Sequence, residues 1–234
     1  MKMKTKILAV ALFTACATGS FAQDKNSVTF TAADANAKSD ADIVAKAGEW
    51  TTALNLNDAA KEERVKTAIV AHLKTVRDWH NDHPSSTVPA GINPATGNRL
   101  SEMDRDIIAN SVMPKSVHDS LINVLKRELT PEQVETVLDK YTIGKVAFTL
   151  QGYKAIVPDL KLEEETQILM YLKQAREQAI DFKNMKEISA IFEIYKTKCE
   201  QYLNSNGRNW RQLYKAYTDA VKAKKATEKQ KLTN

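Results

Sequence analysis

Apolar positions recur along most of this chain at intervals of three and four residues, the spacing that keeps side chains on one face of an α-helix. The first such run puts Ile43, Ala47, Trp50 and Leu54 on one face and predicts a helix from Ser39. A second helix follows Asn57 and runs to about Asn81, aligning Val65, Ile69, His72, Val76 and Trp79. The two are expected to pack as a hairpin. From Asp82 to Asn98 the pattern breaks, because Pro84, Pro89 and Pro94 with Gly91 and Gly97 cannot continue a helix. So long a connection is uncommon inside a compact domain and reads as either a binding loop or a boundary between halves.

Helical patterning resumes after Ser101 and again at Pro114, where Val117, Leu121 and Val124 share a face until Leu129. Thr130-Pro131-Glu132-Gln133 combines a proline at the first helical position with a reciprocal Thr and Gln cap, the sharpest boundary in the chain. Another segment runs through Phe148 and Tyr153 to Val157. Leu162, Leu169, Leu172 and Ala179 then line one face, and Ile188, Ile191, Phe192, Tyr195, Cys199 and Tyr202 line the next, with Asn184 as the cap between them and Gly207 at the end. These two should form an antiparallel pair. Trp210, Leu213, Tyr214, Tyr217 and Val221 mark a last amphipathic helix.

With seven Gly, six Pro and few alternating β-branched runs, there is little material for a sheet. The expected fold is all-α, a multi-helix bundle of antiparallel helical hairpins with one long irregular loop. Its helical domain spans residues 39–222, with possible halves 39–81 and 99–222 joined by the loop 82–98; a flexible leader, 23–38, precedes it and a basic tail, 223–234, follows.

The N-terminal end changes the picture of compartment and charge. Lys2, Lys4 and Lys6 precede an apolar run from Ile7 to Ala17, and Ser20-Phe21-Ala22 carries small residues where a signal peptidase inspects them. Residues 1–22 read as a signal peptide cleaved after Ala22; acylation at Cys16 is the competing reading, and Phe13 stands where its motif usually has Leu. The expected location is periplasmic or secreted, with no transmembrane segment in the mature chain. Cleavage removes three of the 34 basic residues and none of the 29 acidic ones, so the net charge falls from +5 to +2. The remaining basicity gathers from Trp210 onward, which reads as a solvated helix end, and no nucleic-acid partner is expected. Cys199 would then stand without a disulfide partner, as a small buried hydrophobe.

Candidate chemistry is sparse. His80-Asn81-Asp82-His83 sits at a helix end beside the long loop but lacks the ligand spacing of known metal sites, so neither a metal nor any other cofactor is expected. His72 lies in the apolar row and reads as a core histidine with a hydrogen-bond partner, and His118 as a flank of a helix face. Trp79 beside His80 could cover the apolar face of a sugar ring, or simply complete the apolar row. Arg176 falls in phase with Leu169, Leu172 and Ala179, so its guanidinium needs either a carboxylate or a ligand; with an ion pair, Glu177 and Asp181 are ordinary solvated carboxylates. Trp79, His80 and Arg176 are the candidate ligand-binding residues. No nucleophile elbow, phosphate loop or zinc motif is present, which argues against an enzyme.

Two stretches carry a resemblance: Leu129 to Glu135 with the following Tyr141 to Tyr153, and Leu172-Lys173-Gln174-Ala175-Arg176-Glu177-Gln178-Ala179 leading to Tyr195-Lys196 and Tyr202-Leu203-Asn204. They resemble domain-of-unknown-function family 3826, exported bacterial proteins proposed to bind sugars and typically encoded beside polysaccharide-degrading enzymes. The resemblance implies a periplasmic accessory protein of glycan use, with a glycan or a glycan-handling protein as partner. Leu129-Thr130-Pro131-Glu132-Gln133 also fits the Leu-Thr-x-x-Gln signature of small helical periplasmic stress chaperones. Those proteins usually repeat it, and Leu160 to Glu164 departs from it. A chaperone or envelope-stress module is therefore the alternative, and an unrecognised glycan-processing enzyme ranks below both.

Overall fold

The computed structural model describes residues 32–94 and 96–233. The signal-like segment 1–22 and the leader up to residue 31 lie outside the described residues. Among those described there are nine α-helices: α1 (Ala32–Thr52), α2 (Ala59–Asp82), α3 (Glu102–Ser111), α4 (Lys115–Glu128), α5 (Pro131–Tyr141), α6 (Lys145–Ile156), α7 (Leu162–Ala179), α8 (Met185–Ser205) and α9 (Trp210–Thr233). Extended pairing among them amounts to one isolated bridge between Ile92 and Arg99. The fold is all-α, as the periodicity requires.

Local chemistry places four of the helix starts. Asp58 caps α2 by accepting from the Lys61 N–H, and Asn184 caps α8 by accepting from Lys186 and Glu187. Ser101 with Asp104, and Thr130 with Gln133, form reciprocal capping boxes at α3 and α5, the latter with Pro131 at the first turn. The loop between α2 and α3 holds a short 3-10 turn, Ser85–Thr87, and a tight turn in which the Gly97 N–H donates to the Asn93 carbonyl. Gly97 closes that turn at φ +71°, a left-handed conformation that glycine adopts without steric cost.

Two expectations need correction. Helix α1 begins at Ala32, not Ser39, because Ala32, Ala33, Ala35 and Ala37 favour helix through propensity alone, without any apolar periodicity to announce it. On α7, Leu162 is 80% exposed, and the buried face is Ile168, Leu172, Ala175 and Ala179. Leu162 is the first residue of α7, and the side chain that this first turn buries is Glu164.

The helices enclose two apolar clusters. One joins Ala47 and Trp50 of α1, Val65 and Ile69 of α2, Leu121 and Leu125 of α4, and Val137 and Leu138 of α5. The other joins Val146 and Tyr153 of α6, Ile168 and Leu172 of α7, and Ile191, Cys199 and Leu203 of α8. The strongest pairings are α7 with α8, α2 with α4, and α1 with α2, so the predicted hairpins α1–α2 and α7–α8 form, and α9 packs on α6 and α8. The short turn between α7 and α8 ties the clusters together: Ile180 is buried in the first and Phe182 in the second. Full burial of such side chains contributes about 1.5–3 kcal/mol each, enough to hold the residue between them in place.

Candidate functional site around Asp181

The residue between those two anchors is Asp181. Its carboxylate lies 3.0 Å from Nε2 of His72 on α2 and 2.9 Å from Nδ1 of His118 on α4. Burial alone would raise this carboxyl, but the hydrogen bonds from His118 and His72 outweigh it and hold it below its ordinary value. Asp181 is therefore an ionised acceptor, and both imidazoles turn an N–H toward it. The Asp181 bond raises His118 above the usual histidine value against the opposing effect of burial, and Glu177 at 3.7 Å from Nε2 adds to the rise.

The backbone of the same residue is used as well. Helix α7 ends at Ala179, and carbonyls at a helix end lack intrahelical partners. His80 Nε2 lies 3.3 Å from the Asp181 carbonyl and supplies one. Three of the chain's four histidines thus converge on one aspartate. Burial pushes His80 down and Glu187 up, so both shifts run against an ion pair in their 3.3 Å contact. Tyr141 closes the inner side: its ring meets His72 edge-on at 5.4 Å, and burial, then the Asp181 charge, drives its phenol well above the ordinary value. The Tyr141 hydroxyl and His72 Nδ1 are both buried without a hydrogen-bond partner.

Outward from Asp181 a cleft of 290 Å³ opens between α3, the start of α4 and the α7–α8 turn. Asn110, Ser111, Lys115, His118, Gln178 and Asp181 supply its polar lining, and Met113, Pro114 and Phe182 its apolar lining. Asn110 is only 6% exposed, and its Oδ1 has no hydrogen-bond partner. An unpaired buried carbonyl costs about 1–3 kcal/mol, so this corner of the cleft favours a donor. A carboxylate, an imidazole, an ammonium, a hydroxyl and two amides around one small space can together donate to and accept from a hydroxyl-rich molecule.

The sequence-derived candidates are placed apart. His80 belongs to the Asp181 centre, but 7% exposed it faces inward. Trp79 stacks on His83 with ring centroids 3.8 Å apart, and its Nε1 is buried and unpaired. Arg176, 2% exposed, bonds Asp139 at 2.7 Å and Glu135 at 2.8 Å on α5, so the structure provides the carboxylate partners that its phase demanded. None of the three lines the cleft. Asp181, read as a solvated carboxylate, is instead the centre. Ala179-Ile180-Asp181-Phe182 sets an acidic residue among apolar neighbours at a helix end, a signal of burial but not of its histidine partners. Among the described residues no group of three or more His, Cys, Asp or Glu side chains is arranged to hold a metal ion, and no helix is long and apolar enough to cross a membrane.

A family model described as a protein of unknown function, DUF3826, matches residues 40–223, which takes in both stretches that carried the resemblance. No curated protein matches the chain.

Proposed function

The chain belongs to the DUF3826 family, whose function is unknown, and we propose that it is an exported accessory protein of glycan use that binds a single sugar unit in the cleft beside Asp181. The observation that carries the reading is the aspartate itself, an ionised acceptor held rigid by two histidines at the edge of a 290 Å³ space. A carboxylate offers about four acceptor positions, and two are taken by the imidazoles, so the rest can receive hydroxyl donors.

The surrounding groups favour a neutral polyol over an ion. The Asp181 charge repels anions, while the Lys115 ammonium on the same lining opposes cations. Gln178 and Asn110 add amide donors and acceptors, and Met113 and Pro114 offer apolar surface to the C–H face of a ring. A volume of 290 Å³ sits at the small end of ligand sites and suits one ring more than a chain. Export rests on the basic, apolar and small pattern of residues 1–22.

Calorimetric titration with a panel of neutral monosaccharides tests the reading. Saturable binding that is lost in Gln178→Ala, with the helical signal unchanged, supports it. If no monosaccharide binds and the protein instead suppresses aggregation of unrelated unfolded chains, the chaperone alternative takes its place.

A further inference from the structure

A second groove, of 700 Å³, runs between α6, α8 and the first half of α9, away from the Asp181 cleft. Its wall on α9 is a row of aromatic side chains, Trp210, Tyr214 and Tyr217, spaced four and three residues apart and therefore on one face. Trp210 and Tyr214 lie with their rings 29° from parallel and 6.0 Å apart, and Tyr153 supports Trp210 from α6 at 5.2 Å. Tyr214 is 51% exposed, and Phe148 across the groove is 80% exposed, the largest aromatic surface the described residues leave open. Along the helix axis the row extends roughly 10 Å, about the length of two pyranose rings.

The floor of the groove is open at Gly152, in the interior of α6. A Cβ placed on Gly152 would meet nothing within 4 Å. Its backbone is not in the left-handed region, so no conformational demand calls for glycine, and a mid-helix glycine costs about 1 kcal/mol relative to alanine. The absent side chain leaves the trough unfilled. Around it the rim is polar and of both signs: Lys145, Gln151, Ser189, Glu193 and Glu200 all border the space.

We infer that this groove is a binding platform for a chain of sugar residues, a second site beyond the Asp181 cleft. Flat rings in a row stack on the C–H faces of successive pyranoses, and a mixed polar rim bonds their hydroxyls on both edges. An acyl chain or a partner helix would instead leave Glu193, Glu200 and Lys145 desolvated against apolar surface, at a cost. The inference rests on the reading of the protein as a glycan binder, and it extends that reading from one unit to a polymer.

Titration of the full-length protein with cellohexaose, xylohexaose and mannohexaose, beside the corresponding monosaccharides, tests it. Two variants probe the groove by different routes. Tyr214→Ala removes a platform ring, and Gly152→Leu fills the floor at a position where a Cβ meets nothing within 4 Å and helix propensity rises, with far-ultraviolet circular dichroism checking that each variant keeps its helices. The expected result is that each variant weakens the best hexasaccharide about tenfold or more, a loss of roughly 1.4 kcal/mol, and leaves monosaccharide binding unchanged. Hexasaccharide affinity within twofold of the parent in both variants overturns the groove while leaving the cleft standing. So does a change of sedimentation coefficient in Gly152→Leu without loss of sugar binding, which would assign the groove to a second copy of the chain. If neither length of sugar binds the parent protein, the cleft and the groove fall together.

Discussion

His118 Nδ1 stands 2.9 Å from one carboxylate oxygen of Asp181, and the two residues come from parts of the chain 63 positions apart. The contact joins α4 to the α7–α8 turn, and the other oxygen of the same carboxylate reaches His72 on α2. The α7–α8 turn thereby fastens two helices, α2 and α4, while Ile180 and Phe182 on either side of Asp181 are embedded in the two apolar clusters. Rigidity of the acceptor and formation of the cleft have a common cause.

Stability should depend on pH through this pair. His118 is raised, so its contribution is complete below the unfolded value of about 6.5 and is lost as pH rises through the folded value. Asp181 is lowered, so its contribution is present above the unfolded value of about 3.9 and is lost as pH falls through the folded value. His80, which burial lowers, acts in the opposite sense, making the native state less stable as pH falls below about 6.5. Comparing thermal midpoints of the parent and His118→Gln isolates the pair. The gap should be widest near about pH 5–6 and narrow above neutrality and in strong acid; a gap that does not vary with pH would contradict the assignment.

Removal of the carboxylate leaves two imidazole N–H groups without their acceptor. Asp181→Ala should lower stability to urea by about 2–3 kcal/mol, discounted from the cost of a fully buried pair because the Asp181 side chain is 21% exposed. Far-ultraviolet circular dichroism should show the helices retained. A loss below about 0.5 kcal/mol would mean that the histidines find other partners.

Arg176 serves α5 rather than the cleft. Arg176→Met keeps the length of the side chain and frees Glu135 and Asp139, whose side chains are each 41% exposed and can be hydrated. The expected cost is about 1 kcal/mol in unfolding free energy, with monosaccharide affinity unchanged. Lost binding in a stable, folded Arg176→Met protein would return this residue to the ligand site.

Cys199 is buried, and burial pushes its thiol up to about 11. A thiol reagent such as dithionitrobenzoate should react with it only when denaturant opens the second cluster. Stoichiometric labelling of the native protein within minutes would contradict the packing of α8 against α6 and α7.

The fold was legible wherever local chemistry or periodicity governs. The Thr130–Gln133 box, the Ser101 start, the Asn184 cap and the burial of Val65, Ile69, His72 and Val76 all follow from residues within a turn or two of each other. So did the need of Arg176 for a partner, since its phase alone buries it. Asp181 was not legible as a centre, because its histidines lie 63 and 109 positions away and only the packing of α2 and α4 against the turn brings them together. The aromatic row of α9 was visible as an amphipathic face. That it borders an open groove depends on Gly152, whose missing side chain leaves no periodic trace.

Binding of a sugar unit beside Asp181 is read out residue by residue by amide and imidazole chemical-shift mapping with NMR. Titration with the monosaccharide panel should shift the side-chain signals of Asn110, Gln178 and His118 in a saturable manner, while the indole signal of Trp210, in the distant aromatic groove, stays fixed. Shifts confined to other surfaces, or none with any sugar of the panel, would mean that no sugar occupies the Asp181 cleft.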